Sequence, residues 1–574
     1  MDSRLLQRSL SSVRALIGLQ LVSRLFTFVL NQGLVRLASP RAYGTIAVQF
    51  ELLTSTILFL SREGIRNGLL RVWPQKRKDM QSDKGLQAAQ CANLAAVPIL
   101  LGIPITLLTV ITYVYTASED ARQQPHFHLA LLIYSFAAVV ELCSEPMHNR
   151  AMGEGRTSIR VRAEALGISS KTIVAYLALL YDSRLGGQKL TLPAFALGQL
   201  AYAVVVFVMY VMEMPDSRLW PKRLRLGSSE FVRVVDNSLA LYSPSGSRQS
   251  LRYKWLAEFF DPTIFHLSLT MTLQSIVKHF LTEGDKFLVS YWSPLKDQGG
   301  YAIAVNYGSL IARIVLQPIE EMCRVYFSRV LTLSTDTEQR NSGDESITDT
   351  ALKQASDAIA TLLSIQVTFS VLVVTFGSLY LPIVMQVLLP SQYLSTSAPR
   401  VLSAWVWYIP FLAINGGLEA FHSSTATPDD LRKQSWWMLG YSSLYIVSAI
   451  SFYRFGFGDA SLVYANIVNL SARILYTIPF TLHFFGKRMN SATSILVDVF
   501  PDWRFLVATA VSYVVISLNE SKQDVMELSS RRAWLSVPVL LHFSLGIGLG
   551  LVCMVTWWIT AGRRMITRMK SKAE

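Results

Sequence analysis

Runs of about twenty mostly apolar residues, separated by short polar and basic stretches, recur along the whole chain, and a run of that length is what one α-helix needs to cross a bilayer. The first half carries six: Leu16–Leu37, Tyr43–Leu60, Ala88–Tyr115, Phe127–Cys143, Ala163–Tyr181 and Leu192–Met212. The second half carries six more: Ile264–Tyr291, Tyr301–Val325, Ala358–Leu381, Val401–Leu418, Trp436–Phe452 and Ala460–Phe485. The Ile264–Tyr291 run is weak, because Lys278, Glu283, Asp285 and Lys286 interrupt it. Phe500–Leu518 and Leu535–Ile559 bring the expected total to about fourteen spans. The pattern therefore predicts an all-α polytopic membrane protein.

The pattern also repeats. Ile46-Ala47-Val48 recurs as Ile303-Ala304-Val305, and without a gap Leu53 falls on Leu310, Ile57 on Ile314 and Glu63 on Glu320. Ser39-Pro40 has a displaced counterpart in Ser293-Pro294. A repeat offset by six spans makes two parallel six-helix lobes. The expected divisions are an N-terminal lobe at 1–214, a cytosolic linker at 215–262, a second lobe at 263–485, and two further helices with a basic tail at 486–574.

Composition agrees: 51% of the 574 residues are hydrophobic and 16% charged, against roughly 25% charged in soluble domains. The net charge of +14 would suggest nucleic acid in a soluble protein. Here the basic residues sit in short loops between apolar runs, so they read as orientation signals and nucleic-acid binding is excluded. Arg62, Arg66 and Arg71 follow the second run, Arg150, Arg156 and Arg160 the fourth, and Arg563, Arg564 and Arg568 close the chain. Both termini are therefore expected in the cytosol. The N-terminal stretch starts basic, but Arg24 interrupts its apolar run and no small-residue cleavage site follows, so it reads as a retained first helix. Asn519-Glu520-Ser521 is a glycosylation sequon expected in a lumenal loop. Ser334–Thr350, polar and acidic, reads as an unstructured cytosolic loop.

Ionisable groups inside the apolar runs are the candidate chemistry: Arg24, Arg36, Glu51, Glu141, Glu145, Arg313, Glu320, Glu419 and Arg473, with Lys278, Glu283, Asp285 and Lys286 in the broken run. Each Arg facing lipid at mid-span would cost about 2.5–3.5 kcal/mol, so these side chains pair or line a wet cavity. In a bland reading they form ion pairs, such as Arg24 or Arg313 with Glu51, or snorkel from helix ends, as Arg36, Glu145 and Glu283 can. In the sharper reading Arg24, Arg313 and Arg473, with Asn31, Asn306, Asn466 and Asn469, line a cavity for an anionic headgroup. Glu51, Glu63, Glu283, Lys286 and Glu320 form the accompanying charge network.

Other chemistries lack their residues. Gly167-Ile168-Ser169-Ser170-Lys171-Thr172 looks superficially like a phosphate loop but lacks the glycine before its lysine. The cysteines Cys91, Cys143, Cys323 and Cys553 have no metal-ligand spacing, His126 and His128 have no partner motif, and no metal or cofactor is expected. The first lumenal loop, Leu37–Arg41, has no carboxylate for a glycosyltransferase, although Glu119-Asp120 in the next keeps that alternative open.

The stretches LVRLASPRAYG, ELLTSTILFLSREGIR, LTEGDKF and GSLIARIVLQPIEE closely resemble the eukaryotic Rft family of oligosaccharide translocation proteins, within the multidrug, oligosaccharidyl-lipid and polysaccharide exporter superfamily. The resemblance runs nearly end to end, and Ser61–Arg66 and Gln317–Glu321 are its most specific motifs. It implies a V-shaped pair of lobes with two appended helices, in the endoplasmic reticulum membrane. It also implies a non-enzymatic flippase for dolichyl-pyrophosphate bearing five mannoses and two N-acetylglucosamines, alongside glycosylation-pathway enzymes. On that reading Arg24, Arg36, Arg62, Arg66, Asn306, Arg313 and Arg473 meet the substrate. The alternatives are an accessory protein that binds the lipid-linked oligosaccharide without moving it, and a cation-coupled drug exporter.

Overall fold

A computed structural model of the protein describes residue 29 and residues 31–73, 83–184, 189–224, 259–338, 345–489, 499–523 and 537–562. Long helices account for nearly all of them. Nine helices among the described residues are long and apolar enough to span a membrane, so the chain is an all-α, multi-pass membrane protein. It packs as two compact units, one of residues 25–299 and the other of residues 300–574 together with 1–24.

In the 25–299 unit, Ser39 caps the short helix Pro40–Gly44, with Oγ accepting from the Ala42 amide. The chain continues through a π-helical turn, Thr45–Phe50, into α1, Glu51–Val72. Then come α2, Asp83–Thr116, α3, Phe127–Leu142, and α4, Glu145–Gly153. Pro146 in the first turn of α4 sets it off from α3, since proline fits the N-terminus of a helix but not its interior. Two hairpin partners follow, α5, Thr157–Arg184, and α6, Thr191–Glu213. The broken seventh run is two helices, α7, Pro262–Thr282, and α8, Gly284–Trp292, with Glu283 at the joint. α7 lies along α1. Gly64 and Gly68 allow this: a Cβ on Gly64 would collide with the Thr272 backbone, and one on Gly68 would collide with the Ser268 hydroxyl.

The two Ser-Pro corners of the repeat pack on each other. Gly44 and Gly299 face each other so closely that a Cβ on Gly44 would lie 2.8 Å from the Gly299 amide nitrogen. Beside them Gln49 Nε2 donates to Gln298 Oε1 at 2.9 Å, Gln298 Nε2 donates to the Ser293 carbonyl at 2.8 Å, and Tyr113 Oη donates to Gln49 Oε1 at 2.6 Å. Both glutamines are buried, and the chain of bonds satisfies polar groups that lipid could not.

The next apolar run starts as α9, Leu295–Ile311, passes a π-helical turn at Ala312–Leu316, and continues as α10, Gln317–Glu338. After it come α11, Glu345–Leu388, α12, Ala398–Thr425, α13, Pro428–Phe452, and α14, Ala460–Met489. The last two helices, α15, Trp503–Gln523, and α16, Val537–Trp557, pair with each other and pack on α11. Each unit has the same internal neighbour order. α1 packs on α2 and α3, α3 on α6 and α5 on α6, just as α10 packs on α11 and α12, α12 on α14 and α13 on α14. The repeat seen in sequence is thus a repeat of helix packing.

Two local expectations change. The stretch Ser334–Thr350 is not one long loop. α10 runs to Glu338 and α11 starts at Glu345, leaving only residues 339–344 outside the described structure. Asn519 is not in a loop either, because α15 continues past Leu518 to Gln523. Its amide nitrogen sits 2.9 Å from His542 Nδ1 on α16, so the sequon asparagine is engaged in helix packing.

Candidate functional site

Two arginines one helical turn apart on α1 meet two glutamates four residues apart at the α3–α4 junction. Arg62 Nη1 donates to Glu141 Oε1 at 2.7 Å and to Glu145 Oε1 at 3.2 Å. Arg66 grips Glu145 with both edges of its fork, Nε to Oε2 at 2.8 Å and Nη2 to Oε1 at 2.5 Å. The Glu145 side chain has no exposed surface and the arginines about a fifth of theirs. The spacing explains the match, since residues four apart share a helix face. Glu145 also opens α4, where the helix dipole favours a carboxylate. Next to it, His148 Nδ1 lies 2.8 Å from Tyr210 Oη on α6. These bonds tie α1, α3, α4 and α6 together.

A cavity of about 450 Å³ opens beside this network, lined from α1, α3, α5, α6 and the helical residues before Ser39. It carries Asn31, Glu51, Glu141, Lys171, Gln199 and Tyr202. Glu141 is held by Arg62. Glu51 has Lys286 Nζ at 3.6 Å, and Lys286 also meets Glu283 at 3.0 Å. Glu51, Glu283 and Lys286 of the expected network therefore do converge. Among the described residues Lys286 is the partner of Glu51.

The 300–574 unit holds a second polar cavity, of about 440 Å³. Arg313, Glu320, Asn415, Glu419, Asn466, Asn469 and Arg473 all line it. Asn466, Asn469 and Arg473 recur at three- and four-residue spacing and so share one face of α14. Arg473 Nη2 donates to both Glu419 oxygens, at 2.6 and 2.7 Å, and Asn415 Nδ2 donates to Glu419 Oε2 at 3.0 Å. Arg313 Nη2 folds back onto the Asn306 carbonyl and side-chain oxygens, both at 2.8 Å. Two buried acceptors here, Asn415 Oδ1 and Gln366 Oε1, have no donor among the described residues. The counterparts Glu63 and Glu320 make equivalent local bonds: Asn67 donates to Glu63 at 3.2 Å and Arg324 to Glu320 at 2.8 Å.

Of the remaining sequence candidates, Arg36 is exposed and Arg24 lies outside the described residues. Lys171 was missed as a site residue. Its stretch lacks the glycine that a phosphate loop carries before its lysine, yet a lysine midway along a 28-residue apolar helix is itself a signal. Among the described residues, no group of three or more His, Cys, Asp or Glu could hold a metal ion.

The sequence profile of the Rft protein family matches residues 8–572. The chain is 32% identical over 535 residues to the "Man(5)GlcNAc(2)-PP-dolichol translocation protein RFT1" of Yarrowia lipolytica, a match covering 90% of this chain and 76% of that protein. The Schizosaccharomyces pombe protein of the same name is 32% identical, with 83% and 84% covered, and the Saccharomyces cerevisiae one 26%, with 88% of each. Among solved structures, the lipid II flippase MurJ in an inward closed conformation superposes with a TM-score of 0.49 at 13% identity, covering 94% of this chain and 98% of that one.

Proposed function

We propose, from the premise that the chain belongs to the Rft protein family, that it moves dolichyl-pyrophosphate carrying five mannoses and two N-acetylglucosamines from the cytosolic to the lumenal leaflet of the endoplasmic reticulum membrane. A pyrophosphate with seven sugars does not cross about 30 Å of hydrocarbon unaided, because every polar group would lose its hydrogen bonds. The carrying observation is the polar cavity of the 300–574 unit, where Arg313 and Arg473 stand beside Asn466 and Asn469. Arginine forks suit pyrophosphate oxygens, and the amides suit sugar hydroxyls. Both arginines are already hydrogen-bonded, Arg473 to Glu419 and Arg313 to Asn306. Substrate entry therefore exchanges internal partners for phosphate oxygens, leaving Glu419 with the Asn415 amide as its described donor.

Arg62 and Arg66 take a different part. Their carboxylate partners make them the clasp between α1 and the α3–α4 junction. They reach a headgroup only when that clasp opens, as alternating access requires. Both termini lie in the cytosol on the distribution of lysine and arginine.

Reconstitution tests the reading. Vesicles holding the purified protein should move labelled dolichyl-pyrophosphate heptasaccharide between leaflets faster than protein-free vesicles, and Arg473→Ala should slow this at least about tenfold. Tight binding without movement would replace translocation by the accessory role.

A further inference from the structure

We propose that the cavity of the 25–299 unit is a pyrophosphate site of its own, with Lys171 as its charged ligand and Gln199, Tyr202 and Asn31 as supporting donors. The inference rests on the reading of the chain as a carrier of a prenyl pyrophosphate, and it names a group and a cavity that reading does not use.

Three observations carry it. Lys171 lies midway along the apolar helix α5, half-buried on the cavity wall. A lysine at such depth is expensive unless it faces a partner or a wet cavity, and it marks a ligand path by default. Among the described residues it makes no ion pair and no hydrogen bond, whereas the two carboxylates on the same wall are already taken, Glu141 by Arg62 and Glu51 by Lys286. The positive charge of Lys171 is thus the one on this wall left for a ligand. Third, the neighbouring polar side chains are donors in waiting. Gln199 is 7% exposed, and neither its amide nor the Tyr202 hydroxyl nor the Asn31 amide makes a described side-chain hydrogen bond, though all three line the cavity.

An ammonium, two amides and a phenol, all able to donate, make a surface for oxyanions. Packing fixes its base: a Cβ on Gly198 would lie 2.7 Å from the Lys171 carbonyl, so α5 and α6 are held at close range and Lys171 and Gln199 are presented together. Lysine acts here as a point charge, which suits a phosphate that must be released again better than a bidentate fork.

Phosphate on a lipid has two sources, a prenyl pyrophosphate and a phospholipid headgroup, and the experiment separates them. The full-length protein in phosphatidylcholine nanodiscs is titrated with radiolabelled farnesyl pyrophosphate, which carries no sugar. In an Arg473→Ala parent, which disables the other cavity, Lys171→Gln should weaken binding at least tenfold and Gln199→Leu at least threefold, while Lys171→Arg stays within about threefold of that parent. Thermal unfolding of each variant checks the fold, and the Gln199 variant keeps the test alive if the Lys171 variant is unstable. Binding equal to that of the parent by both folded variants overturns the assignment while leaving translocation untouched. Displacement of the probe by phosphatidic acid at equal mole fraction overturns it in favour of a general headgroup site. No binding by the parent sinks the inference, and the heptasaccharide reconstitution decides the carrier reading separately.

Discussion

Glu145 has no exposed side-chain surface and three bonds from two arginines, so its charge is compensated only as long as both guanidinium groups stay. Glu145→Gln removes the charge but keeps the shape, leaving Arg66 without its carboxylate in a buried setting. Breaking one partner of a buried pair costs about 3–5 kcal/mol, and a large drop in thermal unfolding temperature is expected. Arg66→Lys should recover little, because an ammonium cannot reproduce the two-edged grip; equal melting temperatures for Arg66→Lys and wild type would contradict that geometry. At the start of α13 the balance is more modest. The Thr427 hydroxyl and amide donate to Asp430 Oδ2 at 2.7 and 3.1 Å and hold its carboxyl below the usual carboxylate range. A depressed carboxylate stabilises fully above its unfolded value, about 3.9, and loses that contribution as pH falls through the lowered folded value. The difference in melting temperature between wild type and Asp430→Asn should accordingly be present at pH 6 and vanish toward pH 2.

Helices pack where small residues let backbones approach, and α1 against α7 shows how position decides the cost. A Cβ on Gly64 meets the Thr272 backbone, which cannot yield without moving α7, whereas on Gly68 it first meets the Ser268 hydroxyl, which can rotate away. Overpacking costs about 1–3 kcal/mol. Gly64→Ala should fall at the upper end and Gly68→Ala below it, and the reverse order in thermal unfolding would disprove the stated contacts. The elements themselves were legible, because twenty-residue apolar runs have few alternatives to a helix. Charge inside a run was the informative exception: Lys278 to Lys286 marked where α7 and α8 separate. Helix ends were not legible at Ser334–Thr350 or Asn519, where polar residues continue a helix beyond its apolar core. On α14 the three- and four-residue spacing put Asn466, Asn469 and Arg473 on one face, so that this wall of the cavity could be read in advance. The pairing of Arg62 and Arg66 with Glu141 and Glu145 could not, since nothing local says which helix will stand opposite α1.

The molecule carries two packed units with the same internal neighbour order, each with a polar cavity and its own arginine–glutamate ion pair, that of the 300–574 unit half-buried. The two differ in where the cation comes from. In the 25–299 unit the carboxylates at the α3–α4 junction are met by arginines from α1, and in the 300–574 unit Glu419 on α12 is met by Arg473 from α14. The helix packing matches between the units while the charge partners differ, so matching positions in the repeat need not do matching jobs. This asymmetry gives a test that neither unit gives alone. Glu145 and Arg473 share no described bonding partner, and sites without shared partners add in stability to within about 0.3–0.5 kcal/mol. Glu145→Gln and Arg473→Ala should therefore add in thermal unfolding of the double variant. Translocation is different on the proposed function, where a lipid that meets both cavities in turn would make the two sites serial. The double variant should be no slower than about threefold below the slower single one, whereas fully multiplicative loss would mean that the two clusters act on the substrate at the same step.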